Sequence, residues 1–143
     1  MAITQAMTTS FKDEVLQEGH NLASDTIKIA LYTSSATINA TTTAYSATNE
    51  VSGTGYTAGG VTLTNQTVDT ANGSISGGTA YFDADDPEWT SASFTAAGAL
   101  IYNSTNADKS IAVLNFGGDF TVSSGTFRIV FPAAGTTAIV RID

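Results

Sequence analysis

The sequence predicts a mainly β protein, an antiparallel β-sandwich or jelly-roll-like barrel with one short N-terminal α-helix. Three observations carry that expectation. About seven short segments alternate apolar and polar residues with a period of two, the pattern of a strand with one buried face. The stretches between them are rich in Gly, Ser, Asn and Asp, which accept positive φ or bond their own backbone in turns. Thr and Ser are abundant, at 24 and 14 residues, against only 5 Lys+Arg and 13 Asp+Glu. A β-branched side chain suits a pleated surface, and its hydroxyl tolerates water.

The single helix signal comes first. Ser10 is placed to cap it, Asp13 and Glu14 fall in the first turn near the positive end of the dipole, and Gly19 can close it. Phe11, Val15 and Leu16 then form the apolar face of a helix over residues 11–18. From Asp25 the period becomes two: Ile27, Ile29 and Leu31 alternate with Lys28, Ala30 and Tyr32. The same alternation returns at residues 61–64, 80–82, 99–102, 111–116, 127–131 and 138–142. Turn chemistry separates these segments at Asn72-Gly73, Ser76-Gly77-Gly78, Gly117-Gly118-Asp119 and Ser123-Ser124-Gly125. Pro132 should end the strand before it or mark an edge. No low-complexity linker divides the chain. Residues 1–24 therefore read as an N-terminal arm and short helix packed on or beside the domain, and residues 25–143 as a single β-sandwich domain.

A length of 143 residues is one domain's worth and enough to enclose a core. The charged content of 13% is about half the usual share, yet the formal net charge is -8. That acidic balance argues against nucleic acid as a partner, because affinity for phosphates needs clustered Lys and Arg. With no Cys, disulfides, thiolate nucleophiles and zinc-thiolate sites are excluded. The first residues carry no basic, apolar leader, and no run approaches the roughly 18–20 apolar residues of a membrane span. The expectation is a soluble protein with no membrane partner.

Two stretches do not read as strands. Residues 33–50 are mostly Ser, Thr, Ala and Asn, with Ile38 and Tyr45 as the large apolar groups; so long a loop is usually functional or an interaction surface. Residues 53–60 contain four glycines around Tyr56 that superficially suggest a dinucleotide fingerprint. No helix pattern follows them, so a tight β-loop is the better reading.

The constellations that might carry chemistry are sparse. His20 is the one histidine, and no patterned nucleophile or oxyanion loop accompanies it; its bland role is to sit beside helix carbonyls. Asp83, Asp85, Asp86 and Glu88 are the densest local charge and the weak candidates for a metal site, Ca²⁺ being the natural cation. Their spacing does not match the twelve-residue calcium loop, and Pro87 interrupts it, so a solvated turn is expected. Paired carboxylates beside Trp89 could also suggest a glycosidase with a sugar platform, but acids this close on one turn rarely face each other across a cleft. Phe116, Phe120, Phe127 and Phe131, with Tyr81, Phe82 and Phe94, read as core filling. No catalytic residue and no cofactor is expected.

Three segments resemble small virion structural proteins encoded by tailed bacteriophages: Asp25 through Thr37, Glu50 through Gly60, and Ala99-Leu100-Ile101-Tyr102-Asn103 followed by the strand through Val113 and Phe116 and the Gly117-Gly118-Asp119 turn. The resemblance covers nearly the whole chain in the same order. It implies a non-enzymatic virion part, labelled among relatives as head decoration, head fibre or tail fibre, and it brings no catalytic residues. The leading expectation is a capsid decoration (cement) protein on the capsid exterior, made in the bacterial host cytoplasm. Its implied partners are the major capsid protein and copies of itself, as a homotrimer. A tail, fibre or baseplate-associated component is the alternative, and a carbohydrate-binding module the third. Residues 1–10 have few anchors of their own and are expected to reach a neighbour. The candidate interface residues are Ile3, Met7, Phe11, Val15, Ile38, Tyr45 and Tyr56.

Overall fold

The computed structural model describes residues 2–70 and 78–142. One long hairpin dominates it: β6 (Glu88–Asn103) and β7 (Lys109–Arg128) run antiparallel, joined by a turn at residues 104–108. β2 (Ile27–Tyr32) pairs with the inner half of β6, and β3 (Val61–Thr62) pairs with β2. On the other side β1 (Ala6–Met7) pairs with β7 through Ala6 opposite Val113 and Met7 opposite Ala112. The resulting five-stranded sheet has the order β1-β7-β6-β2-β3. A second sheet of three strands has the order β4-β5-β8, from β4 (Thr67–Thr70), β5 (Ala80–Asp83) and β8 (Val140–Ile142). All strand pairs are antiparallel. The fold is sandwich-like, and among the described residues neither sheet closes into a barrel.

Both faces of the large sheet are buried. Ile27, Ile29, Leu31, Ile101 and Ile111 face a main core shared with Phe11, Leu63, Phe82, Trp89, Phe94 and Val140. Ala30, Tyr32, Leu100, Tyr102 and Val113 face the opposite way and form a second cluster with Ala36 and Ile38. A strand covered on two faces loses the need to alternate, and β2 is accordingly buried along nearly its whole length. The Thr/Ser-rich stretch of residues 33–50 provides the second cover, fastened by an isolated bridge between Ala44 and Lys109 and another between Tyr32 and Glu50.

Several expectations need correction. The segment at 127–131 is not a separate strand, because β7 runs on to Arg128. Gly117-Gly118-Asp119 and Ser123-Ser124-Gly125 are not turns but irregularities inside β7. Pairing jumps from Gly98 opposite Asn115 to Ala96 opposite Phe120, so residues 116–119 bulge out against Ala97. Gly117 has φ +83 and Ser124 φ 48, and residues that accept positive φ serve a bulge as readily as a turn. Asn72-Gly73 and Ser76-Gly77 lie outside the described residues. β4 was not foreseen; its Thr-Val-Asp-Thr sequence is an exposed edge with no buried face to betray it.

The helix α1 spans Thr9–Leu16, two residues earlier than the sequence suggests. Thr8 occupies the cap position without a side-chain cap bond; its buried hydroxyl instead lies 3.3 Å from the Ile111 carbonyl. Ser10 is inside the helix, and no acidic residue falls in the first turn. Gly19 does close the helix, donating its N–H to the Glu14 carbonyl at 2.6 Å. Phe11 and Val15 face the core while Leu16 points to solvent, 86% exposed, because residues one apart on a helix cannot share a face. The arm is also not free. Besides β1, Ile3 bridges Ile38 and packs on Gly98, where an added Cβ would lie 2.8 Å from its Cδ1. Asn115 Nδ2 donates to the Ile3 carbonyl at 2.9 Å, and the Asn115 N–H donates to Gln5 Oε1 at 3.1 Å. Residues 6–7 are an edge strand of the sheet, and residues 2–4 are tied to Ile38.

Candidate functional site

The seven expected interface residues are all engaged inside the chain. Phe11 is buried in the main core, with Met7, Val15 and Tyr56 packed against it. Ile38 is buried in the second cluster, with Ile3 and Tyr45 packed against it. Two sheet faces both need cover: the helix, the small sheet and the 51–63 segment cover one, and the arm with the 33–50 stretch covers the other. Phe11 and Ile38 are buried, and the other five are half-buried.

Tyr45 and Tyr56 meet at a carboxylate that the sequence reading did not single out. Glu50 Oε1 accepts from the Tyr56 hydroxyl at 2.6 Å and the Gly59 N–H at 2.7 Å; Oε2 accepts from the Tyr45 hydroxyl at 2.7 Å. The Tyr56 oxygen in turn accepts the Leu31 N–H at 2.8 Å, and the Tyr102 hydroxyl donates to the Gly59 carbonyl at 2.7 Å. Tyr45 stacks on Tyr102 with ring centroids 4.8 Å apart, and Tyr32 donates to the Ser46 carbonyl at 2.7 Å. Burial, with Glu50 adding to it, pushes the hydroxyls of Tyr45 and Tyr56 far above the ordinary phenol range. Burial likewise raises Tyr32, and pushes Tyr102 up to about 12. Gly60, at φ +76, lies so close to β2 that an added Cβ would meet the Ile29 carbonyl. The glycines of 53–60 thus make a tight β-loop clamped by Glu50. It holds two loops to a sheet.

His20 is also structural. Its side chain is fully buried, with the ring 5.0 Å from Phe11. Nε2–H donates to Glu14 Oε1 at 3.1 Å, and Nδ1 accepts from Asn103 Nδ2 at 3.1 Å, a tautomer assigned from the hydrogen-bond pattern. Asn103 also donates to Asp25 Oδ2 at 2.7 Å and accepts the Thr105 and Asn106 N–H groups, so its amide orientation is fixed. The Asn21 N–H and then the Asn103 amide hold the Asp25 carboxyl below its usual range. Lys109 completes the group at 3.1 Å from Glu14. Both ring nitrogens face fixed partners rather than a hydroxyl nucleophile. His20 locks the helix exit to the β6–β7 turn.

The acidic segment is dispersed. Asp86 accepts from Arg128 Nη2 and from the Phe131 N–H, both at 2.9 Å. Asp85 accepts from Asn65 Nδ2 at 2.5 Å. Asp83 carries a buried Oδ1 without a hydrogen-bond partner, and Glu88 is exposed at the start of β6. Among the described residues no three His, Asp or Glu side chains converge as metal ligands. Rather than a purely solvated turn, the segment is a brace between residues 64–65 and the end of β7. Trp89 is 3% exposed between Tyr56 and Phe127, which removes the sugar platform.

What remains accessible is an edge. Past Asn115, no described strand pairs with the side of β7 facing away from β6. The free edge, residues 120–128 beyond the 116–119 bulge, is roughly 30 Å long at strand rise. Beside it Phe120 is 52% and Val130 73% exposed. A groove of about 450 Å³ lies there, lined by Phe116, Phe120, Val122, Phe127, Ile129 and Val130. The sequence reading took Phe116 and Phe120 for core; Phe82, Phe94 and Phe131 of that group are buried, Phe116 and Phe127 pack against the core half-buried, and Phe120 is exposed. The adjacent Gly117-Gly118-Asp119 was the available signal, since a bulge re-aims the side chains beside it. Also among the described residues, no helix is long and apolar enough to cross a membrane. No family model, curated protein or solved structure matches the chain.

Proposed function

We propose that the protein is a non-enzymatic structural component of a tailed-phage virion, acting as a capsid decoration (cement) protein on the outer face of the major capsid shell. The observation that carries this reading is the contrast between a consumed interior and one open edge. The tyrosine, histidine and acidic clusters are spent on joining loops to sheets, while a long strand edge and its apolar groove stay available. Such an edge is a template for pairing with another chain. The acidic surface keeps many copies from associating wrongly before docking. The resemblance of residues 25–37, 50–60 and 99–119 to virion proteins supplies the class of particle.

The test is binding of the purified protein to phage heads lacking it. Saturable binding, one set of sites per local junction of capsid subunits, is the expected result. Binding to isolated tails and not to heads would instead favour the tail, fibre or baseplate alternative.

A further inference from the structure

We infer that the free edge of β7 pairs with the same edge of a second copy, antiparallel about a two-fold axis centred between Ser123 and Ser124. This deepens the self-assembly part of the reading above. It is tested without any particle, so its failure is separate from failure of the capsid assignment.

Three observations select a second copy. The first is charge. The chain carries a formal net charge of -8, yet the stretch from 116 to 128 holds only Asp119 and Arg128. Along 120–127, which carries no charge, a copy can approach with less of the like-charge repulsion it meets elsewhere, and Asp86 and Glu88 lie beside Arg128 only at the end.

The second is register. Centring the axis at Ser123/Ser124 sets Asp119 opposite Arg128 of the copy, Phe120 opposite Phe127, Thr121 opposite Thr126 and Val122 opposite Gly125, each pair occurring twice. The faces agree. Phe127, Gly125, Val122 and Phe120 lie across from the buried Trp89, Ala92, Phe94 and Ala96, whereas Thr121 lies across from the exposed Thr95 and Arg128 from the exposed Glu88. Apolar residues would therefore meet apolar residues on one face. Asp119, at the end of the 116–119 bulge, would come beside Arg128 of the copy at each end of the pairing, where opposite charges are favoured.

The third is length. The remaining outer strands among the described residues, β1, β3, β4 and β8, have 2, 2, 4 and 3 residues. None matches the β7 edge, so head-to-tail pairing into a ring has no partner strand. Self-pairing of one edge closes with two copies, in place of the three that the resemblance implies.

Sedimentation equilibrium of the full chain tests this with D119R and R128D. The wild type should form dimers that dissociate on dilution. Each variant alone sets like charges opposite each other and should dimerise at least about tenfold more weakly. An equimolar mixture of D119R and R128D recreates both opposite-charge pairs and should recover dimers. Because Arg128 also pairs with Asp86, the thermal melt of R128D is checked first. Should R128D not fold, D119R together with hydrogen exchange decides: in the wild type, amides of 120–128 should exchange more slowly at high than at low protein concentration. A wild type that stays monomeric, a trimer, undiminished association of D119R, or a mixture of folded variants that fails to recover would each overturn the pairing.

Discussion

Replacing Glu50 with alanine should cost more stability than any other single carboxylate change in the described chain. The carboxylate is half-buried and accepts three hydrogen bonds, from Tyr56, Gly59 and Tyr45. Gly59 is buried, so its N–H would be left without an acceptor; the Tyr56 hydroxyl, half-buried against Trp89 and Phe94, fares little better. Hydrogen bonds to a charged group are worth about 1.5–3 kcal/mol each. Counting Gly59 and Tyr56, and discounting Tyr45 because water can reach it, gives about 3–6 kcal/mol. At about 3 °C per kcal/mol for a chain of this size, the melting temperature should fall by roughly 9–18 °C. Circular dichroism melts of E50A against wild type make the measurement. E50Q keeps one acceptor oxygen and the shape, and should lose about half as much. A melt of E50A within about 3 °C of wild type would refute the reasoning, showing that apolar cover alone holds residues 33–60 to the sheet.

Two further outcomes follow from the same geometry. The raised phenols of Tyr32 and Tyr56 are neutral in the fold, so their contribution is whole below pH 10, the ordinary phenol value, and is lost as pH rises above it. Each should remove about 1.4 kcal/mol per pH unit, about 2.7 together, in urea unfolding measured between about pH 10 and pH 12; stability that stays level across that window would contradict the buried placement. Deleting residues 2–7 removes β1 and the packing of Ile3 on Gly98 and Met7 on the core. At about 1–2 kcal/mol for each half-buried side chain, the truncated protein should melt roughly 10 °C lower, and an unchanged melt would make the arm a loose tether after all.

Where residues interact with near neighbours along the chain, their structure was legible. Ile27, Ile29 and Leu31 announce β2 because periodicity is a local property; Gly19 marks the helix end by its close approach to Glu14, while the left-handed position there is taken by Glu18 at φ 59. The second burial of β2 was not legible, since it depends on residues 33–50 folding back over Tyr32 and Tyr102. Ile38 and Tyr45 were singled out as the apolar points of that stretch, and both pack on the sheet of their own chain. The β6–β7 hairpin was hidden because its bulges use the glycines and serines that a turn would use. Glu50 gave no signal: the residues it joins are brought together by the loop that it clamps. Phe120 misled because the Gly117-Gly118-Asp119 beside it reads equally as a turn, and only as a bulge does it signal re-aimed side chains.

The most direct test of the central claim is a cryo-EM map of the phage particle. A structural protein of the head places a domain of this shape, two antiparallel sheets with the long β6–β7 hairpin, on the outer face at the junctions between major capsid subunits. Density for the domain confined to the tail or baseplate, or missing from every part of the particle, would contradict the account.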